Sequence, residues 1–230
     1  NCVTVASTLQ DISKQFAQAS TNGLTRSALA SFVDNTRHAS ELLNRNLEVA
    51  VDLIRSFKQV AVDRTRAQRR AFQLDAMVAE TLLILSPSFK RSQHQIQVDV
   101  PPHIAMTSYP GQLGQILTNL INNAVLHGFV GDKQEGTIRI SARLPSDDTV
   151  ELVVADDGVG VPEANLRRIF DPFFTTRLGQ GGSGLGLNIV YNLMKDVMGG
   201  TVQVQSTLGQ GTRFILVMPL VAPESLDDED

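Results

Sequence analysis

The sequence predicts an α+β chain in three parts: a helical hairpin (1–66), a two-layer α/β sandwich (67–222) and an acidic tail (223–230). Three observations predict it. The first 66 residues contain one glycine, Gly23, and no proline, and their apolar residues recur at helical spacing. After residue 66, helix and strand patterns interleave without strict βαβ alternation, which favours helices on one face of a mixed sheet. Between Asp156 and Leu187, two glycine-rich turns bracket a phenylalanine-rich loop.

In the hairpin, Val5, Leu9, Ile12 and Phe16 mark a first helix, and Ser20-Thr21-Asn22-Gly23 is a turn. A second run extends from about Thr25 to about Arg66. Its stripe includes Leu29, Phe32, Val33, Thr36, Leu43, Leu47, Ile54 and Phe57. A helix of that length must bury its stripe, and a dimeric four-helix bundle does so.

Farther along, Ala71-Phe72-Gln73-Leu74 suits a short strand. Asp75 is expected to cap a helix reaching about Leu85. Ile96 to Val100 alternates as a strand and ends at Pro101-Pro102. Pro110 opens a helix whose stripe is Leu113, Ile116, Leu117, Leu120, Ile121 and Ala124. Thr137–Arg143 pairs with Val150–Ala155, and Thr201–Gln205 with Thr212–Met218.

Composition narrows the function. A net charge of −4 argues against a nucleic-acid surface. The single cysteine, Cys2, excludes an internal disulfide and fits a reducing compartment. No apolar run approaches the roughly 18 residues of a membrane span. The start at Asn1, without methionine, is expected to mark a piece of a longer protein.

The chemistry lies in two elements. Asn119, Asn123 and His127 fall at i, i+4 and i+8, on one helical face. Asparagine is a poor interior helix residue, but its oxygen can ligate Mg²⁺ and its N–H can bond phosphate. Downstream come Asp156-Asp157-Gly158-Val159-Gly160, Phe170-Asp171-Pro172-Phe173-Phe174 and Gly182-Ser183-Gly184-Leu185-Gly186-Leu187. Glycines there let the backbone approach an anion closely, ahead of a helix start. A loop from about Asp171 to Ser183 that docks over bound ligand is expected.

In this order the four boxes resemble the catalytic and ATP-binding domain of bacterial sensor histidine kinases, over roughly Arg69 to Pro219. The resemblance implies the histidine kinase/gyrase nucleotide fold, with ATP and Mg²⁺ as cofactors. It makes Asn123 the Mg²⁺ ligand, with Asn119 its polar partner and His127 near the phosphates. Asp156 accepts the adenine amino group, beside the Gly158 and Gly160 turn. Phe170, Phe173 and Phe174 form the lid hinge. Gly182, Gly184, Leu185 and Gly186 form the phosphate-side turn, and Thr212 holds adenine through water. Where many members carry a phosphate-binding lysine this chain has Leu126, and Arg177 is the candidate replacement.

The implied activity is transfer of the γ-phosphoryl group to a histidine, with Asn119, Asn123 and Arg177 as catalytic candidates. The implied partners are a second copy through residues 1–66 and a response regulator receiver domain, with no nucleic acid or membrane contact, in the cytoplasm. Alternatives are an ATPase or serine kinase of the same fold, or a silent dimeric scaffold. Efficient hydrolysis is disfavoured because the related ATPases use a glutamate where Asn119 stands, and an amide accepts no proton. The first helix holds no histidine. His38 is followed by Ala39-Ser40 where an acid should stand, and His94 and His103 read as surface residues. The acceptor is therefore expected upstream of Asn1.

Overall fold

Alternating side chains build the main sheet. In the computed structural model, residues 25–27, 29–41, 43, 68–89, 94–130, 135–177 and 182–224 are described. The described part of 26–43 is helical (α1). It is followed by β1 (Arg70–Gln73), α2 (Leu74–Phe89), β2 (Gln95–Asp99) and β3 (Ala105–Ser108). Next are α3 (Pro110–Asn123), β4 (Thr137–Arg143), β5 (Thr149–Asp156), α4 (Glu163–Leu166), α5 (Gly186–Asn192), β6 (Thr201–Thr207) and β7 (Gly211–Pro219).

The five-stranded sheet has the order β2-β4-β5-β7-β6. β2 runs parallel to β4, and every other pair is antiparallel. Ile138, Ile140 and Ala142 of β4 face the core, and so do Phe214, Leu216 and Met218 of β7. The alternate residues Arg139, Arg143 and Arg213 are exposed. That period of two is the one read from the sequence. The mixed sheet with helices packed on its core face is the expected fold class.

α3 supplies the other layer. Pro110 opens it, and Leu113, Ile116, Leu117, Leu120 and Ile121 are no more than 1% exposed. The helix then widens into a π-helical turn, Ala124–Gly128. α5 lies against α3 and continues into a second such turn, Leu193–Val197.

Two expectations need correction. Asp75 does not cap α2: β1 runs directly into the helix at Leu74, so Asp75 falls in the first turn, with its Oδ1 buried and unpartnered. α2 also reaches Phe89, past Leu85. β3 was not foreseen. It is four residues long, pairs antiparallel with β1 and buries Met106 and Ser108. The segment after β7 closes on it, through Thr107 N–H to the Leu220 carbonyl (2.8 Å) and Ala222 N–H to the Thr107 carbonyl (2.9 Å). The first hairpin helix, the second beyond residue 43 and the tail from residue 225 lie outside the described residues.

Leu117→Ala should lower stability by about 2–5 kcal/mol, because a fully buried side chain leaves a cavity. Tyr109→Phe removes the hydroxyl and with it the bond to the Pro223 carbonyl (3.0 Å), an expected loss of about 1 kcal/mol. Urea unfolding of the two variants should rank them in that order.

Candidate functional site

α3 has a second face. Opposite its core stripe, Asn119 and Asn123 open onto a cleft of about 380 Å³. The widened turn brings Leu126 and His127 to the same cleft. Gly160, Arg177, Gly182, Gly184 and Gly186 form facing walls. Asn119 Nδ2 is buried without a protein partner, an orphan donor suited to an anionic oxygen. Gly186 borders that corner: a Cβ there would stand 3.5 Å from Asn119 Oδ1, an ordinary contact.

A smaller recess joins the cleft, with Asn123, His127 and Gly160 common to both. Asp156 and Thr212 line it. Asp156 ends β5 opposite Thr212 of β7. Its Oδ1 accepts N–H bonds from Gly158 (2.9 Å) and Thr212 (3.3 Å). Gly160 takes φ +73° against the Thr207 carbonyl, where a side chain would be strained and would clash.

The phenylalanine loop meets the second glycine turn backbone to backbone. Gly184 has φ +70°, and a Cβ there would come within 2.8 Å of Phe173 Cα. Phe173 itself has φ +66°, a costly region for a bulky residue, and its ring is 60% exposed. Phe174 lines the cleft, with the Arg168 guanidinium 4.8 Å from its ring centroid. Residues 178–181, within the segment expected to dock over ligand, lie outside the described residues.

Three predicted site residues border the cavities without lining them. Gly158 is buried behind Asp156. Phe170 packs on Tyr191, with centroids 5.7 Å apart, and its carbonyl accepts a bond from Asn188. Leu185 precedes α5, its N–H directed at Ser183 Oγ (3.3 Å). Val161, Asn165 and Ile169 line the cleft but were not foreseen, having only the preceding Gly160 as a signal.

Arg177 and His127 set the electrostatics of one end of the cleft. Arg177 Nη1 donates to the Leu126 carbonyl (2.6 Å), bringing the cation to the position noted as lacking lysine. Burial holds the His127 pKa below its ordinary value, and the Arg177 charge lowers it further. Among the described residues no cluster of three His, Cys, Asp or Glu is placed to hold a metal. A hard cation here would depend on the Asn123 oxygen and on ligand phosphates, which suits Mg²⁺. His94 is not the plain surface residue expected: it stacks on Phe129 at 4.3 Å, and burial lowers its pKa.

Both imidazoles bind protons less readily when folded than when unfolded, so the stability they contribute is present above pH about 6.5. It is lost as pH falls through that value toward the folded pKa. Arg177→Ala should raise the His127 pKa part of the way to its ordinary value, with burial keeping the remainder. An NMR titration of the empty protein reads this; an unmoved His127 would contradict the coupling.

Comparison with known proteins bears on the family and the fold. Residues 109–222 match the histidine kinase-, DNA gyrase B-, and HSP90-like ATPase family. Sensor histidine kinase ZraS of Escherichia coli O157:H7 is 30% identical over 217 residues, covering 93% of this chain and 43% of ZraS. The crystal structure of full-length ShkA with AMPPNP aligns at TM-score 0.57 and 26% identity, over 88% of this chain and 41% of that one. Histidine kinase ThkA, in complex with response regulator protein TrrA, has the same fold at TM-score 0.59 and 18% identity, over 95% and 59% of the two chains. The chain spans well under two thirds of the length of the curated relatives it matches. On this match and this fold, the domain spanning residues 109–222 belongs to the histidine kinase-, DNA gyrase B-, and HSP90-like ATPase family.

Proposed function

We propose that this chain is the catalytic core of a sensor histidine kinase, binding Mg-ATP and passing the γ-phosphoryl group to a histidine for relay to a response regulator aspartate. One observation carries the reading: a single cleft is lined by the Asn119/Asn123 face and the Gly182–Gly186 turn, and it joins the Asp156 recess. The AMPPNP complex of ShkA and the regulator complex of ThkA support it by likeness.

Each residue has a task. Asp156 would accept the adenine amino group, and Thr212 would act through water. The Asn123 oxygen would hold Mg²⁺ together with the phosphates, and the metal supplies charge neutralisation when bound. Asn119 Nδ2 and Arg177 would donate to phosphate oxygens. Transfer needs little more than such positioning and charge compensation. An ATPase reading is disfavoured because Asn119 cannot take a proton from water.

Residues 1–66 are the proposed dimerisation element. In the single chain Leu29 and Val33 of α1 are each 47% exposed, part of the stripe a second copy would cover. Among the described residues no helix is long and apolar enough to cross a membrane. The proposed site of action is the cytoplasm, where ATP is available.

Asp156→Asn is expected to weaken ATP binding by about one to two decades, since an acceptor becomes part donor. Asn123→Ala should remove the Mg²⁺-dependent part of ATP affinity and spare adenosine. Calorimetric titration separates the two; equal losses for ATP and adenosine in Asn123→Ala would overturn the ligand assignment.

The purified chain should sediment at twice 25.0 kDa. With γ-labelled ATP it should place acid-labile label on an added acceptor helix and not on its own histidines. Label on the chain that disappears in His38→Gln would make His38 the acceptor. A mass of one chain would refute the dimer.

A further inference from the structure

Ser206 lies outside both cavities, on β6, and its hydroxyl meets that of Thr212 at the wall of the recess. Its Oγ accepts the Val161 N–H at 2.8 Å and stands 2.8 Å from the Gly211 carbonyl and 3.1 Å from Thr212 Oγ1. A hydroxyl has one proton and two lone pairs. Val161 occupies one lone pair. The Gly211 carbonyl can only accept, so the Ser206 proton is committed there. Thr212 must then donate its own proton into the remaining Ser206 lone pair, leaving its hydroxyl oxygen as a pure acceptor toward the recess. The Asp156 carboxylate beside it also only accepts. The Thr212 hydroxyl oxygen and the Asp156 carboxylate, side by side at the wall of the recess, therefore both call for donors.

We infer that Ser206 is a positioning residue for base selectivity: by consuming the Thr212 proton it tunes the recess to a 6-amino purine and against a 6-oxo purine. This rests on the nucleotide reading above. Adenine presents an amino donor at that edge, directly or through a water that donates to Thr212. Hypoxanthine and guanine carry at that position an oxygen, which two acceptors facing it leave unpaired, and their donor N1–H lies one ring position away. Without the Ser206 hydroxyl, Thr212 is free to turn its proton into the recess and satisfy a 6-oxo group.

The test measures the affinities of ATP and inosine triphosphate, which differ only at this edge of the base, for the full chain. The wild type should prefer ATP. Ser206→Ala should narrow the ATP-to-inosine-triphosphate ratio by about three- to tenfold, the worth of one neutral hydrogen bond, and Ser206→Thr should restore it. In a Thr212→Val background, Ser206→Ala should leave the ratio where Thr212→Val alone puts it, because the effect passes through the Thr212 hydroxyl. A merely structural serine, holding Val161 in place, would lower both affinities together and would do so in either background; that result overturns the inference. Should Ser206→Ala not fold, Thr212→Val alone must narrow the ratio, and an unchanged ratio there also overturns it. A wild type that binds neither nucleotide would remove the nucleotide reading itself, and this inference with it.

Discussion

The position of Asp156 constrains everything around it. It is the last residue of β5, paired with Ile138 on one side and Thr212 on the other. Three glycines from separate segments crowd it. A Cβ at Gly128 would lie 3.1 Å from Oδ1, and one at Gly158 would lie 2.6 Å from it. Gly211, at φ +96°, packs on its backbone carbonyl. These glycines answer to close approach more than to flexibility. The carboxylate is fixed by amides and walled by bare backbone, so the recess is formed before any ligand arrives.

α3 reconciles two demands on one helix. Five aliphatic side chains on one face are buried to within 1% of completely. At about 1.5–3 kcal/mol each, that burial far exceeds the intrinsic helix penalty of an asparagine, about 0.7 kcal/mol at most. The helix therefore tolerates Asn119 and Asn123 on its other face. The unpartnered Asn119 Nδ2 is a larger concession, about 1–3 kcal/mol for an unmet buried donor. A ligand oxygen would recover it, which places stability lost in the empty site on the side of binding.

Periodicity made most of this legible. The period of two in β4 and β7 and the spacing of Leu113 to Ile121 are set by burial on one face, which the sequence records directly. The asparagine face extrapolated correctly to the cleft as far as His127, although the helix widens after Asn123. Ala105–Ser108 escaped because four residues carry too little alternation, and its pairing with β1 is a long-range event. Asp75 was misplaced because capping chemistry was read where the chain passes from strand to helix without a linker. Ser206 is legible only in part. Thr212 faces it across the hairpin that the sequence predicts, but Val161 is brought to it by the fold alone.

The cation at the Arg177 end of the cleft is held differently from one anchored in a helix. Arg177 stands on the loop after the phenylalanines, and it caps the Leu126 carbonyl in the final turn following α3. That carbonyl belongs to a helix end, where a positive charge is favoured. A lysine at position 126 would present its charge whatever the loop did. Here the charge arrives with the loop, whose backbone is fixed against Gly184 through two left-handed residues, Phe173 and Gly184. Charge compensation at the cleft and the packing of the glycine turn are thus one structural event. A substitution that disturbs the Phe173–Gly184 contact should also move the His127 pKa in an NMR titration, since Arg177, whose charge lowers that pKa, stands on the same loop.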